Sequence, residues 1–405
     1  MKTSPKKTIA VFSGNRAEYG LLYPLLKAFH HHEGITLHLY AGGDHSRLGT
    51  LSEIEADGLP IFKTLRYDKL LPNGSPSALM CQASADIMPK MQALLSENRP
   101  DCFFVLGDRY ESFAATLAAF YEKIPIAHLG GGDVTEGGCV DDALRFMISD
   151  LAHLHFTISK ESAERLLQRG EEPWRVHVSG SPVIDNIADT PLLNRQALCQ
   201  QYGINAEKPI VLFTQHPIPA EGEATVHHFA QSLEALAGLG QAIQVIATHP
   251  NQDGFGQAFK NLITHSKSNQ PNIHWQESLG RVQYLSWLAS CDVVLGNSSS
   301  GLIETPFFGK PSITVGPRQA GRLRADNVVA CDYGVTPVRE AVLSALNDAA
   351  FITRAKKCYN PFGDKPSAPL VLDVLTHLPQ AGILLKKKLF STSSLVANNT
   401  VANNT

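Results

Sequence analysis

Residues 101–156, DCFFVLGDRYESFAATLAAFYEKIPIAHLGGGDVTEGGCVDDALRFMISDLAHLHF, decide the fold. They open on the apolar run Cys102 to Leu106, short and flanked by polar residues, as a buried strand should be. Gly107-Asp108-Arg109 follows, and Phe113, Leu117, Phe120 and Tyr121 then recur on one helical face. A second apolar run, Ile124 to Ala127, ends in His128 and a glycine triplet. A polar loop holding Asp133, Glu136, Asp141 and Asp142 leads to Leu144, Met147, Ile148 and Leu151, the apolar face of another helix. Two strand–loop–helix units in tandem predict a parallel sheet, whose ligands lie beyond the carboxyl ends of the strands. Both loops place carboxylates, an arginine and a histidine there.

The same alternation extends in both directions. Toward the N-terminus, Ile9 to Phe12 ends in Ser13-Gly14-Asn15-Arg16, and Leu21, Leu22, Leu25, Leu26 and Phe29 follow as a helix. A helix N-terminus with Arg16 beside it suits phosphate, although the run is not GxGxxG. Ile35 to Ala41 predicts the second strand and Ser77 to Glu97 a long helix. Toward the C-terminus, strands at Ile210 to Phe213, Val245 to Ala247, Asp292 to Leu295 and Ser312 to Val315 each end in a polar or glycine loop. Leu370 to Leu378 predicts a terminal helix.

At about 150 residues per domain, 405 residues predict two or three domains. The expected division is an N-terminal Rossmann-like domain over 1–185 and a nucleotide-binding one over 186–365. A terminal helix, 366–390, and a disordered polar tail, 391–405, complete it. A net charge of -3 is too small and too mixed to point to nucleic acid. No apolar run reaches the ~18 residues of a membrane span. Seven scattered cysteines fit reduced cytoplasmic thiols. No CxxC or HExxH motif indicates a metal, and His30-His31-His32 is read as a polar helix end.

The candidate chemistry falls into two groups. Arg16, Arg109, His216, Ser298, Ser299 and Arg318 all follow strand ends, which suits an anionic ligand. Arg109 and Arg318 each read equally as half of a surface or structural ion pair. Ser298 and Ser299 read as a diphosphate site or as an ordinary capped helix, with Glu304 placed to accept from ribose hydroxyls. Asp108, Asp133, Asp141 and Asp142 form the second group. Buried carboxylates of like charge drive one pKa up, which yields an acid and a base. Asp141 also reads as a helix cap, and His128 as catalytic or merely buried.

The segments SGNRAEYGLLYPLL, LGDRYES, IPIAHLGGGDVTEG, VDDALRFMISDLAHLHF, GSPVID, QHP, GNSSSGLIETPFFGKPSI and GPRQ together resemble the hydrolysing UDP-N-acetylglucosamine 2-epimerases. The likeness runs in order from about Ile9 to about Leu375. It implies two Rossmann-like α/β domains with parallel sheets, glycosyltransferase-B-like, with a UDP-sugar in the cleft between them and the terminal helix packed back on the first. It implies elimination of UDP to a 2-acetamidoglycal and hydration to free N-acetylmannosamine. The alternative is the same reaction on UDP- or GDP-2,4-diacetamido-2,4,6-trideoxyglucose, on the way to legionaminic acid. A glycosyltransferase and an inactive sugar-nucleotide sensor are the remaining alternatives. No cofactor is required, and the expected assembly is a homodimer or homotetramer.

Carried over by position, the resemblance implies catalytic roles for Asp108, Asp133, Asp141 and His216. It implies nucleotide contacts from Arg16, Asn251, Ser298, Ser299, Glu304 and Arg318, and sugar contacts from Arg109 and Asp185. Two positions depart from the pattern. Gly130 stands where relatives often carry Glu or His, and Arg145-Phe146 where they read Arg-His. These changes are expected to reshape the sugar pocket toward a 6-deoxy, 4-acetamido substrate.

Overall fold

Among the described residues, the apolar runs form two all-parallel sheets. The structure is a computed structural model and describes residues 6–43, 45, 50–67, 76–134, 140–218, 221–250 and 256–388. Asp44, Glu136, Asn251 and the 391–405 tail lie outside them, so the expectations placed on these residues are not addressed. The described residues fall in two compact units. One is drawn from Met1–Asn186 and Phe362–Thr405, the other from Ile187–Pro361.

The first unit holds β1 Lys7–Ser13, β2 Ile35–Gly42, β3 Ile61–Leu65, β4 Cys102–Leu106, β5 Ile126–Leu129, β6 Leu154–Thr157 and β7 Val176–Val178. Their spatial order is β3-β2-β1-β4-β5-β6-β7. The order reverses between β1 and β4, which pair in register Ile9↔Cys102. Helices on both faces leave no residue of β4 exposed, hence its unbroken apolar run. Phe104 packs with Leu25, Leu26 and Phe29 on one side, and Phe103 with Ile87, Met91 and Ala115 on the other.

The chain returns to this unit at its C-terminal end. Helix Ala368–Thr376 buries Val371 and Leu375 in the same core as Leu25 and Phe29. Arg175 then donates to the carbonyls of Leu384 at 3.0 Å and Lys386 at 3.2 Å.

The second unit holds β8 Ile210–Thr214, β9 Gln244–Thr248, β10 Ile273–Gln276, β11 Val293–Gly296, β12 Ser312–Val315 and β13 Val328–Cys331. Their order is β10-β9-β8-β11-β12-β13, reversing between β8 and β11. β10 and β13 are additions to the sequence reading. Each is a four-residue edge strand with half-buried positions; Ile273–Gln276 alternates apolar with polar residues, and Val328–Cys331 is apolar but short.

Candidate functional site

At the reversal in the first sheet, the turn after β1 and the turn after β4 are tied together. Asn15 caps helix Arg16–His31 by accepting the Glu18 N–H. The Glu18 carboxylate accepts from Gly14 N–H at 2.7 Å and from Ser112 Oγ at 2.7 Å. Ser112 lies in the first turn of helix Tyr110–Tyr121, so Glu18 bridges the two turns. Burial, and then the charge of Glu111, push Glu18 up to about 7. Glu111 is itself fully buried and takes the Arg109 guanidinium with both oxygens at 3.1 Å. Arg16 pairs at the surface with Glu53 at 2.9 Å. Of the two readings left open for Arg109, the structural ion pair is therefore present.

The acids lie beyond β4 and beyond β5, the next strand along the sheet. Asp108, just beyond β4, accepts from Arg145 Nη2. Arg145 Nη1 donates to Asp142 Oδ1 at 2.5 Å and to the main-chain oxygen of Asp133 at 3.0 Å. Asp141 and Asp142 open helix Val140–Leu151, and Arg145 follows one turn later. Burial and the nearby Asp108 charge raise the pKa of Asp141, while Arg109 and Arg145 work against the rise. The net effect holds the Asp141 carboxyl above the ordinary aspartate range.

His128 is fully buried in β5. Its Nε2 stands 2.8 Å from the Gly107 carbonyl and its Nδ1 3.0 Å from Ser149 Oγ. Burial lowers its pKa to about 3. The neutral ring therefore donates from Nε2 to the carbonyl and accepts at Nδ1. His128 is a buried structural brace between the β4 turn and helix Val140–Leu151. Gly130 has φ +86°, and a Cβ there would meet nothing closer than Leu106 Cδ1 at 3.9 Å. Phe146 packs beneath the Arg169 guanidinium, 4.7 Å from its ring centroid.

In the second unit the reversal brings the ends of β8 and β11 together. Asn297 Oδ1 accepts the His216 N–H at 2.7 Å, and its Nδ2 donates to the His216 carbonyl at 2.9 Å. The Asn297 carbonyl accepts from Arg318 at 2.8 Å and from Gln319 at 2.9 Å. Gly296, at φ +137°, admits this approach, since a Cβ there would overlap the Thr214 carbonyl. Burial, and then the Arg318 charge, lower His216 to about 4, so its ring is neutral at physiological pH. His216, Asn297 and the exposed Arg318 form one array.

Ser298 and Ser299 border that array, half-buried. The helix expected after them is only Ser300–Ile303, and Glu304 begins a second short one, Thr305–Phe308. Ser299 makes no side-chain cap. Tyr284 donates to Ser300 Oγ at 2.6 Å, and Ser300 donates to Glu304. Burial raises the Glu304 carboxyl.

Asp185 is buried, and its two oxygens accept from Ser367 N at 2.7 Å, Ser367 Oγ at 2.8 Å and Ala368 N at 2.9 Å. Its carboxylate thus caps the start of the terminal helix. Arg145, Asn297, Glu18 and Glu111 were not among the sequence candidates. The available signal for Arg145 was a cation one turn after two acids on a helix. Among the described residues, no group of three or more His, Cys, Asp or Glu is placed to hold a metal. Nor is any described helix long and apolar enough to cross a membrane.

The chain is similar to known proteins in sequence and in fold. A family model described as UDP-N-acetylglucosamine 2-epimerase matches residues 27–376. The chain is 32% identical to the UDP-N,N'-diacetylbacillosamine 2-epimerase (hydrolyzing) of Legionella pneumophila, over 94% of this chain and 98% of that one. It is 31% identical to the GDP/UDP-N,N'-diacetylbacillosamine 2-epimerase (hydrolyzing) of Campylobacter jejuni, over 80% and 84%. Among solved structures, the UDP-GlcNAc 2-epimerase of Neisseria meningitidis bound to UDP-GlcNAc superposes with TM-score 0.77 at 21% identity, over 91% and 99%. That likeness establishes the fold, a pair of glycosyltransferase-B-like parallel-sheet domains.

Proposed function

Because the chain belongs to the UDP-N-acetylglucosamine 2-epimerase family, we propose that it is a hydrolysing 2-epimerase of a UDP-linked 2-acetamido sugar. The observation that carries the reading is Asp108, held by Arg145 and acting electrostatically on Asp141 in the same cluster of acids. A carboxylate removes the C2 proton, the C2–H electrons form the C1=C2 bond, and the C1–O bond breaks as UDP departs. The second carboxyl gives a proton to C2 from the opposite face while water adds at C1, and it recovers a proton from that water. The first carboxyl returns its proton to solvent. One water is consumed, and UDP, one proton and the free epimer are produced.

Asp108, Asp133 and Asp141 supply the proton transfers. His216, Arg318, Ser298 and Ser299 receive the diphosphate, while Glu304 and Asn251 serve the nucleoside. For the sugar we favour the 2,4-diacetamido-trideoxy form. The names of two relatives support it. UDP-N-acetylglucosamine is the second reading, supported by a Neisseria meningitidis relative of that name at 28% identity. The described cysteines are all free, which fits the reducing cytoplasm. A homodimer or homotetramer is proposed for measurement by sedimentation.

The test is proton NMR in D2O with each candidate sugar nucleotide. UDP and a free sugar carrying deuterium at C2 are expected. No UDP from any candidate would sink the enzyme reading and favour a sensor. A larger kcat/KM on UDP-N-acetylglucosamine would overturn the sugar assignment. Asp108→Asn should slow UDP release by roughly 10²–10⁴-fold, whereas a glycosyltransferase would survive it.

A further inference from the structure

The Arg145 guanidinium lies at the centre of the acid array, and none of the roles above uses it. The residue is 6% exposed. Its partners come from three places: Asp108 beyond β4, the Asp133 carbonyl beyond β5, and Asp142 in the first turn of its own helix. One buried cation thus joins the ends of two neighbouring strands to a helix start. The helix is held at its other end as well. Lys387 Nζ donates to the carbonyls of Ser149 at 3.3 Å, Asp150 at 3.1 Å and Ala152 at 2.9 Å. Ser149 in turn meets His128 of β5. Arg145 therefore projects from an anchored element.

We propose that Arg145 is a positioning residue for the reaction, setting the spacing of Asp108 from the turn that carries Asp133 and Asp142 and so aligning the acids on the sugar C2. The proposal rests on the epimerase reading above. A planar guanidinium serves several acceptors in fixed directions, whereas a lysine offers a point charge without that geometry. Without the cation, Asp108 and Asp142 would each lose a charged partner in a partly buried site, and the array would splay. The charged groups facing Asp141 are Asp108 and Arg109 beyond β4 and Asp142 and Arg145 on its own helix. Losing Arg145 removes one of the two charges that restrain Asp141, so its carboxyl should move further up.

Arg145→Lys, Arg145→Gln and Arg145→Ala test this. In Arg145→Lys and Arg145→Gln, kcat for UDP release should fall about 100-fold or more, with KM changed less than about threefold, since a misplacement near 1 Å costs that much. Millimolar guanidinium chloride should restore part of the Arg145→Ala rate. Calorimetric UDP binding should stay near wild type, which shows that the fold survives. The Asp141 carboxyl, followed by carbon-13 NMR without substrate, should titrate at higher pH in Arg145→Gln. Wild-type kcat in Arg145→Lys, a loss confined to KM, absence of rescue in the folded protein, or an unmoved Asp141 titration would each overturn the proposal. Failure of the wild type to release UDP overturns the epimerase reading instead, and the Asp141 titration still decides whether Arg145 governs the acids.

Discussion

Asn297 holds the main chain of His216 in a two-way clasp, accepting its N–H at 2.7 Å and donating to its carbonyl at 2.9 Å. The two residues are 81 positions apart and meet because β8 and β11 are neighbours where the strand order reverses. The main-chain oxygen of Asn297, separately, receives Arg318. The side-chain clasp therefore sets the histidine, and the Asn297 backbone holds the arginine.

Asn297→Ala leaves the His216 N–H and C=O without these partners. Each buried orphan costs about 1–3 kcal/mol, so a loss of roughly 3 kcal/mol is expected in denaturant unfolding. UDP affinity should fall with it in calorimetry. An unchanged UDP affinity in folded Asn297→Ala would show that the clasp does not set the nucleotide site.

Arg318 and His216 are coupled through charge. His216 is lowered from 6.5 to about 4 in the folded protein. Between those values the unfolded chain binds more protons, so the stability from neutral His216 is present above 6.5 and lost as pH falls toward 4. Arg318→Gln removes the second cause and leaves burial. The His216 ring should titrate higher by proton NMR, and the acid loss of stability should shrink. UDP affinity should drop roughly ten- to hundredfold, about 1.5–3 kcal/mol for a bond to a charged group.

Glu18 behaves in the opposite sense. Its carboxyl is raised from 4.5 to about 7. Its contribution is complete below 4.5 and is lost as pH rises through about 7, because the folded state then binds more protons than the unfolded one. Glu18→Gln cannot ionise. The variant should flatten the fall in unfolding free energy between these values, a change on the order of 3 kcal/mol. Parallel curves for wild type and variant from pH 5 to 8 would contradict this.

Asp185→Ala separates capping from catalysis. It strips three hydrogen bonds from the start of helix Ala368–Thr376. A loss of about 2 kcal/mol is expected in unfolding experiments. The kcat/KM for sugar-nucleotide consumption, measured where the variant is folded, should stay within about threefold of wild type. A rise in KM alone would return Asp185 to the sugar side.

The sequence carried most of the fold because the signals involved are local. A strand covered on both faces must be apolar throughout, as Cys102–Leu106 is, and a helix on a sheet must repeat its apolar residues every turn. Strand ends, and with them the loops bearing Asp108, Asp141, His216 and Arg318, followed directly. β10 and β13 escaped notice because Ile273–Gln276 and Val328–Cys331 are short edges with partly solvated faces.

From its sequence alone this protein was bound to be a chain of parallel β–α units with ionisable loops at the strand ends. Periodicity and turn residues act within a few positions and need no tertiary contact. Only the folded structure decided which charge answers which. Arg109 turns to buried Glu111, Arg145 reaches Asp108 37 positions away, and Asp185 closes on Ser367 182 positions away. Those pairings depend on strand order and on which groups are jointly removed from water, where each buried charge or polar group needs a partner. No local pattern in the sequence encodes that choice.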